Sequence, residues 1–123
     1  MTPPFKPRRE VPRKKPLRFV GSALKDLRAL PPAVQDIAGR LLLDVQYGDT
    51  PPNVKPMEHI GSGTIQLEIT AAQSWFRVFY VTKPEAVYVL HVFNKTSNKT
   101  SRADNEKGVA RYRQLSEYRD PPP

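Results

Sequence analysis

The sequence contains no cysteine and only two histidines, His59 and His91. The absence of cysteine excludes disulfides, thiolate metal sites and cysteine nucleophiles. Two histidines so far apart in the chain, without thiolate ligands, lack the spacing of a zinc site. A glycine-rich phosphate loop and a nucleophile elbow are missing as well. We therefore expect a protein that holds neither a metal nor a cofactor.

Long apolar runs are also missing. No segment reaches the length of about 20 apolar residues that a membrane-spanning helix needs. The basic N-terminus is followed by no apolar segment of the kind that secretory signals contain. We therefore expect a cytoplasmic protein with no membrane partner.

Positive charge is what the chain has in excess. Its 123 residues include 20 Lys and Arg against 12 Asp and Glu, which gives a formal net charge of +8. A domain this basic is expected to bind a polyanion, and nucleic acid is the first candidate. The alternative is a solvated surface with a charged tail and no polyanionic partner. The length fits a single domain.

The stretch from residue 64 to residue 95 predicts three consecutive strands. Apolar residues alternate with polar ones over residues 64–70, which is the period-2 pattern of a half-buried strand. Residues 75–81 and 87–93 are almost wholly apolar and rich in β-branched and aromatic types. The breaks between these runs are short, and short connections join antiparallel neighbours. We therefore predict a three-stranded antiparallel meander.

Two helices are predicted before the meander. After a short strand at residues 17–20, leucines recur at helical spacing, with Ser22 as the N-cap. Pro31 and Pro32 end this helix and begin the next one. Over residues 34–45 apolar side chains recur at i, i+3, i+4 and i+7, the pattern of an amphipathic helix. The pair forms a helical hairpin whose apolar faces need a sheet to cover.

An edge strand and a C-terminal helix complete the predicted elements. Pro56 restricts a strand over residues 54–60 to the edge of a sheet. A final helix is predicted from about residue 102, with Ser101 as its N-cap, to about residue 118. Gly108 is expected to weaken this helix by about 1 kcal/mol relative to alanine.

The chain divides into three predicted parts. Residues 1–16 are rich in proline, lysine and arginine and are predicted to form a flexible basic arm. Residues 17–118 form the domain, and residues 119–123 form a proline-rich tail. We predict a small α+β domain, a twisted antiparallel sheet with an N-terminal helical hairpin packed on one face and a C-terminal helix.

Two polar residues interrupt the apolar strands. Arg77 needs either an acidic partner or an open site. A cross-strand ion pair with Glu68 satisfies the first requirement, whereas a phosphate bound by the planar guanidinium satisfies the second. His91 lies in the last strand, where a lone histidine is more often a satisfied core residue than a catalyst.

A basic segment follows the last strand directly. Lys95 and Lys99 lie among Asn94, Thr96 and other hydrogen-bonding residues, and such a mixture suits phosphate and sugar. Loops at the end of a sheet often hold binding groups. The alternative is an ordinary solvated loop. The RNA-binding candidates are Lys99, Asn94, Thr96 and Arg102.

Several short segments, taken in order, resemble a known family. They are FVGSALKDL at 19–27, LP at 30–31, QYG at 46–48, KPM at 55–57, GSG at 61–63, Glu68, FRVFY at 76–80, YVLHVFNK at 88–95, KT at 99–100 and AR at 110–111. In this order and spacing they resemble the RelE/HigB superfamily of bacterial toxins, most closely its phage-derived Gp49-like branch. The resemblance covers about residues 17–115 and implies a RelE-like fold.

The resemblance also implies a metal-independent endoribonuclease that cleaves mRNA on translating ribosomes and so inhibits translation. The RNA 2′-hydroxyl would attack the adjacent phosphate, which needs a base, stabilisation of negative charge and an acid. By position, Arg77 would hold the scissile phosphate, and Lys95 and Lys99 would stabilise its charge. Glu68 would act as the base, with His91 as a weaker candidate for base or acid.

The implied partners are the ribosome, mRNA and a helix-turn-helix antitoxin of HigA type. Two other functions stay open. Toxins resembling ParE use the same fold to block DNA gyrase by binding. The family also usually has basic residues where this chain has Thr70 and Thr96. The second alternative is therefore a catalytically degenerate phage-derived protein that binds nucleic acid or a partner.

Overall fold

The computed structural model describes residues 13–71, 73–95 and 100–116. Its elements, in chain order, are β1 (Leu17–Phe19), α1 (Ala23–Arg28), α2 (Pro32–Gln46), β2 (Val54–Pro56), β3 (Thr64–Ala71), β4 (Ser74–Thr82), β5 (Val87–Lys95) and α3 (Arg102–Arg113). The predicted meander, helical hairpin, edge strand and C-terminal helix are therefore all present. In the described ranges, no helix combines the length and the apolar character needed to span a bilayer.

The five strands form one sheet in the order β1-β5-β4-β3-β2. Strands β2 to β5 pair antiparallel, as predicted. β1 pairs parallel with β5, so the sheet is mixed rather than wholly antiparallel. A parallel pair needs a long connection, and here the helical hairpin and three strands lie between the two partners. The expected α+β class is confirmed.

Helices cover both faces of the sheet. The hairpin packs on an apolar layer that includes Leu67, Val78 and Val89. On the opposite face, side chains of the α3 region pack on Phe79 and Leu90. Burial on both faces explains why β4 and β5 are nearly continuous apolar runs, because neither strand has a solvated side.

Lys15 and Pro16, which lie in the predicted arm, are hydrogen-bonded to elements of the domain. The Lys15 backbone N–H donates to the Gln46 carbonyl at 2.9 Å, and the Gln46 amide donates back to the Lys15 carbonyl at 2.7 Å. Pro16 accepts from the Val87 N–H at 2.9 Å. These bonds attach residues 15 and 16 to α2 and β5. The rest of the predicted arm up to residue 12, and the tail 119–123, lie outside the described residues.

Arg111 connects α3 to the turn between β1 and α1. Its guanidinium donates to the Leu90 carbonyl at 2.9 Å and to the Ser22 hydroxyl at 2.8 Å. That hydroxyl donates to Asp26 at 2.8 Å, so Ser22 makes no side-chain capping bond to α1. Ser22 therefore occupies the predicted N-cap position of α1, but its hydroxyl bonds Asp26 and Arg111 instead of the helix backbone. Gly21 has a φ of +59° and leaves room for the guanidinium, which a Cβ there would contact at 2.8 Å.

Gly108 permits the close approach of α3 to the sheet. A Cβ at this position would lie 2.9 Å from the ring of Phe79. Phe79 is fully buried, so its ring has little room to move away. The low helix propensity of glycine is therefore offset by tight packing against β4.

We expect Gly108→Ala to lower the free energy of unfolding, although alanine is the better helix former. Overpacking a filled core costs about 1–3 kcal/mol, which exceeds the gain in propensity of about 1 kcal/mol. Gly39 is the matched control, because it lies in α2 and a Cβ added there would meet no neighbouring atom within 4 Å. Gly39→Ala should stabilise by about 0.5–1 kcal/mol. Urea unfolding measures both changes, and stabilisation by both would contradict the packing role of Gly108.

Candidate active site

The candidate site lies on the face of the sheet that α3 covers. Across β3, β4 and β5 the register forms three rows, which are Thr70–Trp75–Lys95, Glu68–Arg77–Phe93 and Gln66–Phe79–His91. Phe79 and Phe93 belong to the apolar layer under α3. Because side chains alternate along a strand, the other members of the rows share that face. The register therefore brings the four predicted catalytic residues together.

Arg77 and Glu68 form the predicted cross-strand ion pair. The Arg77 Nε donates to Glu68 Oε2 at 3.2 Å. The Arg77 side chain is 3% exposed, whereas that of Glu68 is 31% exposed. The guanidinium thus lies behind a carboxylate that reaches solvent.

Thr100 joins this ion pair to a neighbouring amide. Arg77 Nη1 donates to Thr100 Oγ1 at 3.2 Å, and the Thr100 hydroxyl donates to Gln66 Oε1 at 3.0 Å. Thr100 precedes α3 by two residues, so the connection links the N-terminal end of that helix with β3 and β4. Buried polar groups need such partners, because an unpaired one is costly.

His91 is buried and bonded to Asp104 on the first turn of α3. The distance from His91 Nε2 to Asp104 Oδ1 is 2.7 Å. An ionised carboxylate can only accept, so Nε2 carries the proton. The ring stacks on Phe93 with centroids 4.5 Å apart, and Nδ1 is buried without a partner among the described residues. Burial lowers the pKa of His91 below its ordinary value, although the bond to Asp104 partly opposes this.

Asp104 contacts residues on β5 and the N-cap residue of its own helix. Besides His91, its carboxylate lies 3.6 Å from the Lys95 ammonium. Ser101 donates its hydroxyl to Asp104 Oδ2 at 2.6 Å and accepts from the Asp104 N–H at 3.1 Å, which is the predicted Ser101 cap. Burial tends to raise the pKa of Asp104, but the bonds from Ser101 and His91 and the Lys95 charge together hold it below the usual range.

Two of the four predicted RNA-binding residues, Asn94 and Arg102, are described, and neither is a member of the three rows. Asn94 is opposite Phe76, so it lies on the hairpin face and is exposed there. The Arg102 side chain is 92% exposed and pairs with Glu106 at 2.9 Å. Thr96 and Lys99 fall outside the described residues.

The sequence reasoning missed Asp104, Thr100 and Gln66. The spacing Ser101-x-x-Asp104 is a capping signal that the sequence displays. The contacts of Asp104 with His91 and Lys95 could not be predicted from that spacing, because they depend on where α3 packs. Among residues 13–71, 73–95 and 100–116, no group of three His, Asp or Glu side chains could hold a metal ion.

The fold and the family of the chain follow from comparison with known proteins. A chain of the RelBE2 toxin–antitoxin complex from Mycobacterium tuberculosis has the same fold, with a TM-score of 0.50 and 22% identity over 72% of this chain and 97% of that chain. The domain is therefore RelE-like. The model of the family "Phage derived protein Gp49-like (DUF891)" matches residues 25–113. The chain belongs to this Gp49-like family, which is a family of RelE/HigB-type toxins. No curated protein matches the sequence.

We expect His91 to make stability depend on pH just below neutrality. Its pKa is lowered in the folded state, so the unfolded chain binds the proton more readily. Stability is then fully present above a pH of about 6.5 and falls as the pH drops toward the lowered folded pKa. His91→Gln, which can still donate to Asp104, should reduce this dependence. The control His59→Gln should retain it.

Thermal unfolding of the three proteins between pH 7.5 and 5, at steps of about half a unit, measures this difference. Equal slopes for the wild type and His91→Gln would contradict the assignment of His91 as a buried neutral imidazole.

Proposed function

We propose that this protein is the toxin of a toxin–antitoxin module and that it cleaves mRNA on the ribosome without a metal. The observation that carries the proposal is the placement of Arg77, Lys95 and Glu68 in adjacent rows on one face of the sheet. Two fixed cations beside a solvent-reaching carboxylate suit a reaction that builds negative charge on a phosphate. The net charge of +8 supports a polyanionic substrate.

Glu68 is the proposed base. One of its oxygens accepts from Arg77, and the other has no hydrogen-bond donor within the described ranges. Glu68 would take the proton of the RNA 2′-hydroxyl, whose oxygen attacks the adjacent phosphorus. The bond to the 5′-oxygen breaks, which leaves a 2′,3′-cyclic phosphate and a 5′-hydroxyl. His91 is less suited to this role, because its side chain is 4% exposed and its Nε2 is bonded to Asp104.

The two cations would act on the developing charge in different ways. Lys95 lies in the last residue of β5, and its partly exposed ammonium can reach a phosphate oxygen or protonate the leaving oxygen. Arg77 lies behind Glu68, so it acts as a buried positive charge that also orients the base. Such a charge is effective because the surroundings screen it less than water does.

An antitoxin partner is part of the proposal. The similar fold comes from a toxin–antitoxin complex, and membership of a RelE/HigB-type family fits the same role. We propose a small helix-turn-helix antitoxin of HigA type, and a cytoplasmic site of action on ribosomes.

One observation favours the alternative of a catalytically degenerate binding protein. Thr70 lies in the row of Trp75 and Lys95 and is exposed, so a neutral side chain occupies a position where a cation could have contacted RNA. Binding of DNA gyrase, as in ParE-like toxins, is the other alternative.

We expect Lys95→Met to reduce mRNA cleavage by about 100-fold or more, the scale seen when one charge-stabilising group is removed. Lys25 is exposed on α1, and Lys25→Met is the matched control, which should leave cleavage unchanged. The assay uses programmed ribosomes and an end-labelled mRNA, and it identifies the cyclic phosphate among the products. Intact mRNA together with loss of gyrase supercoiling activity would support the ParE-like alternative instead.

Arg77 should contribute to both stability and cleavage. Arg77→Ala removes one partner of a buried pair, which costs about 3–5 kcal/mol when both charges are buried and less here because Glu68 is partly exposed. Cleavage per folded molecule should fall by about 100-fold, and Arg77→Lys should recover little, since an ammonium does not reproduce the planar fork. Thermal unfolding beside the cleavage assay separates the effects. A variant that melts lower but cleaves normally when folded would leave Arg77 a structural role alone.

A further inference from the structure

We propose that Asp104 is a positioning residue of the candidate active site, which fixes the Lys95 ammonium for the cleavage reaction. This inference rests on the proposed function. Asp104 lies on α3, whereas Lys95 lies at the end of β5, so the contact joins two separate elements across the site.

The partners of Asp104 fix the orientation of its carboxylate. Oδ1 accepts from His91 at 2.7 Å, and Oδ2 accepts from Ser101 at 2.6 Å. The Asp104 N–H is itself bonded to Ser101 at 3.1 Å. With both oxygens bound and the backbone held, the direction that the carboxylate presents to Lys95 is set by its neighbours.

Lys95 needs such a partner more than Arg77 does. A lysine ammonium ends a flexible stem, whereas the planar guanidinium of arginine is preorganised and loses less rotamer entropy per hydrogen bond formed. The Lys95 side chain is 17% exposed, and Asp104 Oδ2 lies 3.6 Å from its nitrogen. Preorganised charge stabilises a transition state because no reorganisation is needed at the moment of reaction. The ion pair with Asp104 therefore restricts the conformations of the flexible Lys95 side chain.

A capping role alone would also place an aspartate here. Acidic residues near a helix N-terminus interact favourably with the helix dipole, and Asp104 bonds the N-cap hydroxyl of Ser101 through both its N–H and its carboxylate. The two roles differ in one contact, because Ser101 shares the cap but makes no ion pair with Lys95. Ser101→Ala removes the cap and one bond to the carboxylate but leaves the ion pair, so it is compared with Asp104→Asn.

The first experiment compares these two variants in the ribosome-dependent cleavage assay and in thermal unfolding. Both should melt at a lower temperature than the wild type. Asp104→Asn should lower kcat by about 10- to 100-fold, the scale of a small misplacement at a reacting centre. Its KM should change little, since the positioned charge acts in the transition state. Ser101→Ala should lower kcat less than Asp104→Asn does, because the carboxylate keeps its charge, its bond to His91 and its ion pair with Lys95.

The second experiment is a double-mutant cycle with Lys95→Met. If Asp104 acts through Lys95, then Asp104→Asn should have little further effect on kcat in a Lys95→Met background. Independent effects that multiply would overturn the inference, as would an unchanged kcat for Asp104→Asn. If Asp104→Asn is unfolded at the assay temperature, Asp104→Gln takes its place, because glutamine at the third helical position can accept from the N-cap backbone N–H without the charge.

The outcome for the wild type separates the two proposals. No ribosome-dependent cleavage by the wild-type protein overturns the proposed function and this inference with it. Cleavage by the wild type, with the wild-type kcat retained by Asp104→Asn, overturns the positioning role alone.

Discussion

The close packing of α3 on the sheet is the constraint on which the candidate site depends. Gly108 brings the helix against Phe79, and Arg111 ties it to the Leu90 carbonyl. Because the helix lies so near, Asp104 on its first turn reaches His91 and Lys95 on β5. A helix held a few ångströms further away would leave a buried histidine without its partner. The polar contacts of Asp104 therefore depend on the apolar packing of Gly108 further along the same helix.

The rows of the site mix buried charge with aromatic side chains. Arg77 lies between Glu68 and Phe93, and His91 lies beside Phe79. Replacing a buried ion pair by apolar residues of similar size is often neutral or stabilising. A contribution to the stability of the sheet therefore does not explain why the Arg77–Glu68 ion pair is present. This is the physical ground for the proposal that the site lies on the α3 face rather than on the hairpin face, whose layer is apolar.

Local patterns in the sequence were enough to predict most of the elements. The periodicity of α2, the three runs of the meander and the Ser101 cap all depend on residues close in the chain, and all are present. The parallel β1–β5 pair was missed because pairing between distant segments has no local signal. The face of Asn94 could have been predicted, since it alternates with Lys95 along β5. The role of Asp104 could not, because it follows from helix packing.

The parallel pairing of β1 with β5 also has a consequence for the order of folding. Leu17 on β1 pairs with Val87 on β5. During synthesis β1 therefore leaves the ribosome long before its partner strand has been made. The loop that this pairing closes contains the hairpin and three strands, and closing a loop of that length costs chain entropy before any contact compensates. We therefore expect the meander to form first and to act as the template on which β1 docks. A nascent chain that ends before β5 lacks both the partner of β1 and the later helix α3, so neither the complete sheet nor the site can form.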